Sequence, residues 1–198
     1  MDNLMRALNG VCEHCLPSVL STTIQWYENH DKRVRFDKRQ LAVHYLLCVV
    51  LIEILPQIHF FPEACEQSVS YIVTLAFKEV AYRDPGTVGL NYNNFLSVAE
   101  RYAEVLGVLS QSHAPLIQRT FLTQLAELKK ETPVTPATVN NIIALLMAMK
   151  FFRVKVFSSR CYYFYFDCVC HQLKVRSSAA RGHSLFCPAL NFARFWSI

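Results

Sequence analysis

Three stretches, FLSVAERYAEVLGVLSQ (95–111), LIQRTFLTQLAELKK (116–130) and ATVNNIIALLMAMKFF (137–152), follow one another with only short turns between them. In the first, Phe95, Val98, Tyr102, Val105, Leu106 and Leu109 recur at three- and four-residue spacing. That spacing puts them on one face of a helix, with Glu100, Arg101 and Glu104 on the wet face. Ile117, Phe121, Leu125 and Leu128 repeat the pattern in the second stretch, and Val139, Ile142, Ile143, Leu146 and Met149 in the third. Pro115 and Pro136 each stand where a helix would begin, because a missing N–H costs nothing in a first turn. Thr135 precedes the second of them as an N-cap candidate. Met147 and Met149 read as adaptable core filler rather than as ligands.

Working outward toward the N-terminus, YRDPGTVGLNYNN (82–94) collects Pro85, Gly86, Gly89 and three Asn, and reads as the longest loop of the body. Before it, Phe61-Pro62-Glu63 looks like a helix start, followed by a stripe of Cys65, Val69, Ile72, Val73, Ala76, Phe77 and Val80. LAVHYLLCVVLIEIL (41–55) is apolar at 13 of 15 positions. At about 1.5 Å per residue it reaches roughly 22 Å, short of a bilayer's hydrocarbon, so it reads as a central helix buried on both sides. His44 and Glu53 within it are expected at its rims or paired with polar groups. The first segment, 3–29, places Leu4, Leu8, Val11 and Cys15 on one face, with Leu20, Ile24 and Tyr27 resuming the spacing. Pro17 predicts a kink or break near Leu16.

Amphipathic helices joined by short turns, without strand alternation, predict an all-α fold of HEAT- or armadillo-like helical repeats over residues 1–157. A compact helical bundle is the competing architecture. After about residue 157 the helical period is lost, and SSRCYYFYFDCVCHQLKV opens an aromatic, basic and Ser-bearing stretch to residue 198. This stretch reads as an irregular, disordered tail, or as sequence introduced by an altered splice or a gene-model error.

Charge and cysteine usage narrow the function. The formal net charge of +5 resides in the tail: residues 1–150 hold 13 Lys/Arg against 14 Asp/Glu, whereas 151–198 hold 7 against Asp167 alone. A basic groove running along the fold, as nucleic acid would require, is therefore not expected. The polar connector HDKRVRFDKRQ (30–40) contains Lys32, Arg33, Arg35, Lys38 and Arg39, broken by Asp31 and Asp37. It reads first as a solvated loop and second as a patch for a protein partner. The start MDNLMRALNGVCEH lacks the basic-then-apolar order of a signal peptide, so the eight cysteines are expected reduced and the protein cytoplasmic.

Cys12-Glu13-His14-Cys15 has the spacing of a zinc half-site or a redox CxxC, with Cys168-Val169-Cys170-His171 as a distant second half. The apolar helical pattern around the first pair favours core cysteines, and no metal or cofactor is expected. No Walker loop, GxGxxG, GxSxG, HExxH or kinase signature occurs, and no catalytic residue can be nominated. A small cysteine-dependent zinc-binding or redox helical protein remains the alternative to a non-catalytic interaction protein.

LNGVCEHCLPSVLSTTIQWYE (8–28), KRQLAVHYLLCVVLIEILPQI (38–58), RYAEVLGVLSQSH (101–113) and LLMAMKFFRVKV (145–156) resemble, in order and spacing, the N-terminal region of the Furry cell-morphogenesis proteins. The resemblance covers about residues 4–157 and stops soon after KFFRVKV. It implies a fragment of a very large, non-catalytic scaffold with a HEAT/armadillo-like N-terminal region. It further implies support of NDR-family kinases and their Mob co-activators in polarised growth and neuron projection development. The expected location is the cytoplasm, at the cell cortex or sites of polarised growth near the cytoskeleton.

Overall fold

A computed structural model describes residues 2–31, 35–131, 133 and 135–152, and among these residues there is no strand. The helices are α1 (Asp2–His30), α2 (Lys38–Ile54), α3 (Glu66–Val80), the single turn α4 (Pro85–Val88), α5 (Tyr92–Leu109), α6 (Ala114–Lys130) and α7 (Pro136–Ala148). Short 3-10 turns extend α2 over Leu55–Phe60 and α7 over Met149–Phe151. The irregular stretch expected after residue 157 lies outside the described residues.

The helices pack in two rows. One row is α2, α5 and α7, and the other is α1, α3 and α6, with α1 on α2, α3 on α5 and α6 on α7. α1 and α2 run antiparallel: Asp31 meets His44 at one end, and Gln57, just past α2, bonds Asn9 at the other. α2 and α5 run parallel, since Phe36 meets Phe95 and, one step further along both, His44 meets Tyr102. Such a parallel neighbour requires an intervening helix to bring the chain back, and α3 does so. The all-α expectation thus holds, with successive helices paired and the pairs laid side by side.

The stripes read from the sequence for α3 and α5 are core, whereas in α7 Val139, Ile142 and Met149 are buried and Ile143 and Leu146 only half-buried. Cys65, Val69, Ile72, Val73, Ala76, Phe77 and Val80 are all buried, as are Phe95, Val98, Tyr102, Val105, Leu106 and Leu109. Ile117, Phe121 and Leu125 bury the inner face of α6, while Leu128 is half-buried. α7 is entered through Thr135, whose hydroxyl accepts from the Thr138 N–H while the Thr138 hydroxyl accepts from the Thr135 N–H. This reciprocal pair satisfies donors that an open helix end would leave bare.

Several expectations are corrected. The buried stripe of α1 is Cys12, Leu16, Leu20 and Tyr27, whereas Leu4 and Val11 are exposed and Cys15 is half-buried. Cys15 has non-helical φ −143° and ψ 31°, so the kink expected from Pro17 falls there. Two neighbouring stripes have equally good helical spacing in this segment, and the one facing α2 is the one buried. Pro62 opens a lone turn closed by the Cys65 N–H on Phe61 O, and α3 itself begins at Glu66. The long loop expected over 82–94 is mostly helical turns, because Asp84 caps α4 through the Thr87 N–H and α5 starts at Tyr92. Gly89, at φ 68°, supplies the left-handed residue that ends α4. Met149 is buried as core filler, but Met147 is exposed.

His44 is buried and paired with polar groups, as anticipated, while Glu53 is half-buried. With its 3-10 extension, Lys38–Phe60 forms 23 residues long and apolar enough to cross a bilayer. Half of its most apolar window is nevertheless buried inside the protein. Leu47, Cys48, Leu51 and Ile54 are covered by neighbouring helices, and a core helix meets the same length and hydropathy criteria as a span.

Candidate functional site

The most developed polar arrangement joins the end of α1 to α2 and α5. Tyr27 and Asp31 are one turn apart, and the Tyr27 hydroxyl donates to Asp31 Oδ2 at 3.1 Å. Gln40 and His44 are likewise one turn apart on α2 and face the same carboxylate. Gln40 Nε2 donates to Asp31 Oδ1 at 3.0 Å, and His44 Nε2 lies 3.0 Å from that oxygen. On its far side, His44 Nδ1 lies 2.8 Å from the Tyr102 hydroxyl of α5. With its proton on Nε2, a neutral His44 donates to Asp31 and accepts from Tyr102, so one tautomer satisfies both contacts.

Asp31 is held below the usual carboxylate range. Burial opposes its charge, but hydrogen bonds from Gln40, His44 and Tyr27 outweigh that penalty. Burial pushes the Tyr27 phenol up, reinforced by the nearby Asp31 carboxylate. The Tyr102 phenol is pushed well above its ordinary value, first by burial and then by Cys48 and Tyr27.

A carboxylate, an imidazole and a hydroxyl in line resemble the order of a hydrolytic triad. The chemistry is wrong for one. The terminal hydroxyl is Tyr102, fully buried, held protonated and out of reach of any substrate. The adjacent Cys48 thiol is also fully buried, and burial raises it well above a reactive thiol. The network therefore ties three helices together. His44 carried the sequence signal for it, as the one imidazole inside an apolar run. Tyr27 and Tyr102 were missed because each fits an ordinary helical stripe, and Gln40 because it ends a polar connector; only the fold brings them together.

Beside the network opens a cleft of about 270 Å³, lined by Asp31, Arg35, Phe36, Gln40, Lys78 and Glu79 among others. A second recess, on the other side of Asp31 and Lys78, is lined by Tyr27, Glu28, Tyr71 and Leu75. Tyr71 there is pushed up to about 12 by burial and by Glu28, to which it is hydrogen-bonded. Of the five basic residues nominated from the connector, Arg35 reaches the cleft. Lys38 and Arg39 are exposed on the first turn of α2 rather than in a loop, because Asp37 caps that helix through the Gln40 N–H at 2.5 Å. Lys32 and Arg33 lie outside the described residues. Lys78 comes to the cleft from the last turn of α3, which connector spacing could not show.

The cysteines do not form a centre. Cys12 is fully buried in the core, and the half-buried Cys15 donates its thiol to Val11 O at 3.3 Å. His14 and Glu13 are exposed. Among the described residues no three His, Cys, Asp or Glu side chains gather at metal-binding distance. Cys168, Cys170 and His171 lie outside the described residues.

Residues 37–164 match the family model described as cell morphogenesis N-terminal. The match opens on Asp37, the cap of α2, spans the helices through α7, and runs past residue 157, where the resemblance read from the sequence had stopped. No solved structure matches the chain.

Proposed function

The chain belongs to the cell morphogenesis N-terminal family, and from that premise we propose that it is a non-catalytic scaffold segment that holds a protein-binding surface for a kinase complex. The partners proposed are an NDR-family kinase and its Mob co-activator. The setting is polarised growth and neuron projection development, in the cytoplasm at the cell cortex and close to the cytoskeleton. The repeat class proposed is HEAT/armadillo-like, supported by the two rows of paired helices.

One observation carries the reading: the family match takes in α2 to α7 of the helical core, and the polar chemistry within that core is consumed in holding helices together. Interaction through an exposed surface is what such a core leaves open to it. The test is co-precipitation of the tagged chain with an NDR-family kinase and a Mob protein from cells undergoing polarised growth, alongside imaging of the chain. The reading expects both proteins in the precipitate and the chain enriched at growth sites. A uniformly diffuse chain that retrieves neither would contradict it.

A further inference from the structure

We propose that the solvent face of α2 is a self-association site, on which a second copy of this chain docks its own α2 in the antiparallel direction, crossing at Leu46. The inference goes beyond the scaffold reading and does not depend on it.

α2 is apolar on both sides, although its neighbours cover only one. Leu47, Cys48, Leu51 and Ile54 are buried in the core. On the other side Arg39, Ala42, Leu46, Val49 and Glu53 follow one another at three- and four-residue steps, and so form a single stripe along the helix. Arg39, Ala42 and Leu46 are exposed, Leu46 by 43%, while Val49, Val50 and Glu53 are half-buried. A helix that met only water on this side would carry polar residues at the centre of the stripe. Toward α5 the stripe is bounded by Tyr45, whose ring lies 5.5 Å from the Arg101 guanidinium, itself paired with Glu104. An apolar strip with charged and polar edges has the make-up of an interface core and its rim.

Charge complementarity selects the occupant. Arg39 and Glu53 stand at opposite ends of the stripe, equally spaced along the sequence from Leu46. At 1.5 Å per residue they are about 21 Å apart, too far to pair within one chain. Among the described residues neither makes an ion pair. An antiparallel copy crossing at Leu46 sets Arg39 of each chain against Glu53 of the other, and Ala42 against Val50. The two-fold axis makes each of these contacts twice, as a self-complementary patch requires. The parallel arrangement in the same register would instead set Arg39 on Arg39 and Glu53 on Glu53. With a seam one helix wide, the contact falls below the roughly 800 Å² per partner of a standard interface, so reversible association in the micromolar range is expected.

The test is sedimentation equilibrium of the 198-residue chain across the micromolar range. The expected result is a monomer–dimer equilibrium. Leu46→Arg, which sets like charges against each other at the crossing point, should weaken the dimer by about tenfold or more. Leu46→Gln is the second variant should the arginine disturb folding, and it should weaken the dimer in the same direction. Arg39→Glu and Glu53→Arg should each weaken it by about fivefold. The double variant carrying both should return to within about twofold of the native chain, because exchanging the two ends keeps the match. Arg119→Glu, a charge reversal at an exposed position of α6, should leave the dimer within about twofold. A chain that stays monomeric would overturn the proposal, including the case in which phosphatidylcholine vesicles take it up and no dimer forms. So would a dimer indifferent to both Leu46 variants, or a double variant no stronger than the two single reversals.

Discussion

Asp31 is the residue on which the junction of α1, α2 and α5 depends. It is bonded while ionised and its folded-state pKa is depressed, so its contribution is complete above the unfolded carboxylate value of about 3.9 and disappears as pH falls through the lower folded value. Asp31→Asn should therefore lower unfolding free energy at pH 7 by about 1–3 kcal/mol, and by much less near pH 3. Urea titrations at the two pH values check this; an equal deficit at both would remove the carboxylate's charge from the explanation. Gly107 offers an independent check on packing. A Cβ there would stand 2.7 Å from Phe151 Cβ, so Gly107→Ala must displace the 3-10 turn after α7. A loss of about 1–3 kcal/mol is expected, as for other overpacked sites. The thiols give a third prediction. In the native chain, iodoacetamide followed by peptide mapping should modify Cys15 well before the buried Cys12, Cys48 and Cys65. Early modification of Cys48 would show that α2 and α5 open readily.

At the scale of elements, α7 is the helix whose start is most clearly written in the chain. Removing the reciprocal cap with Thr135→Ala should cost about 1 kcal/mol and speed amide exchange in the first turn of α7, leaving α3 protected. The same element shows what sequence can and cannot settle. Thr135 and Pro136 mark the boundary through chemistry that acts over four residues, so it was legible. The helical stripes of α3 and α5 were legible because one face of each is apolar and the other is not. α1 was less so: two adjacent stripes of comparable hydrophobicity run along it, and contact with α2 selects Cys12 and Leu16 over Val11 and Cys15. The turns at 85–91 were misread because Pro, Gly and Asn signal a break in a long helix and equally the caps of very short ones. The cleft was legible only in part, since Arg35 lies in the basic connector while Lys78 arrives from α3, a helix about forty residues further on.

For the molecule as a whole, the polar groups that might have done chemistry are buried between helices, and exposed charges such as Lys38, Arg39 and Lys78 lie where α1 and α3 end and α2 begins. That distribution suits a member of the cell morphogenesis N-terminal family acting as a surface on which others assemble. The most direct measurement is sedimentation velocity of the purified chain mixed at micromolar concentration with a purified NDR-family kinase–Mob complex. A faster-sedimenting species containing all three proteins is the predicted result. Independent sedimentation of chain and complex would contradict the scaffold account.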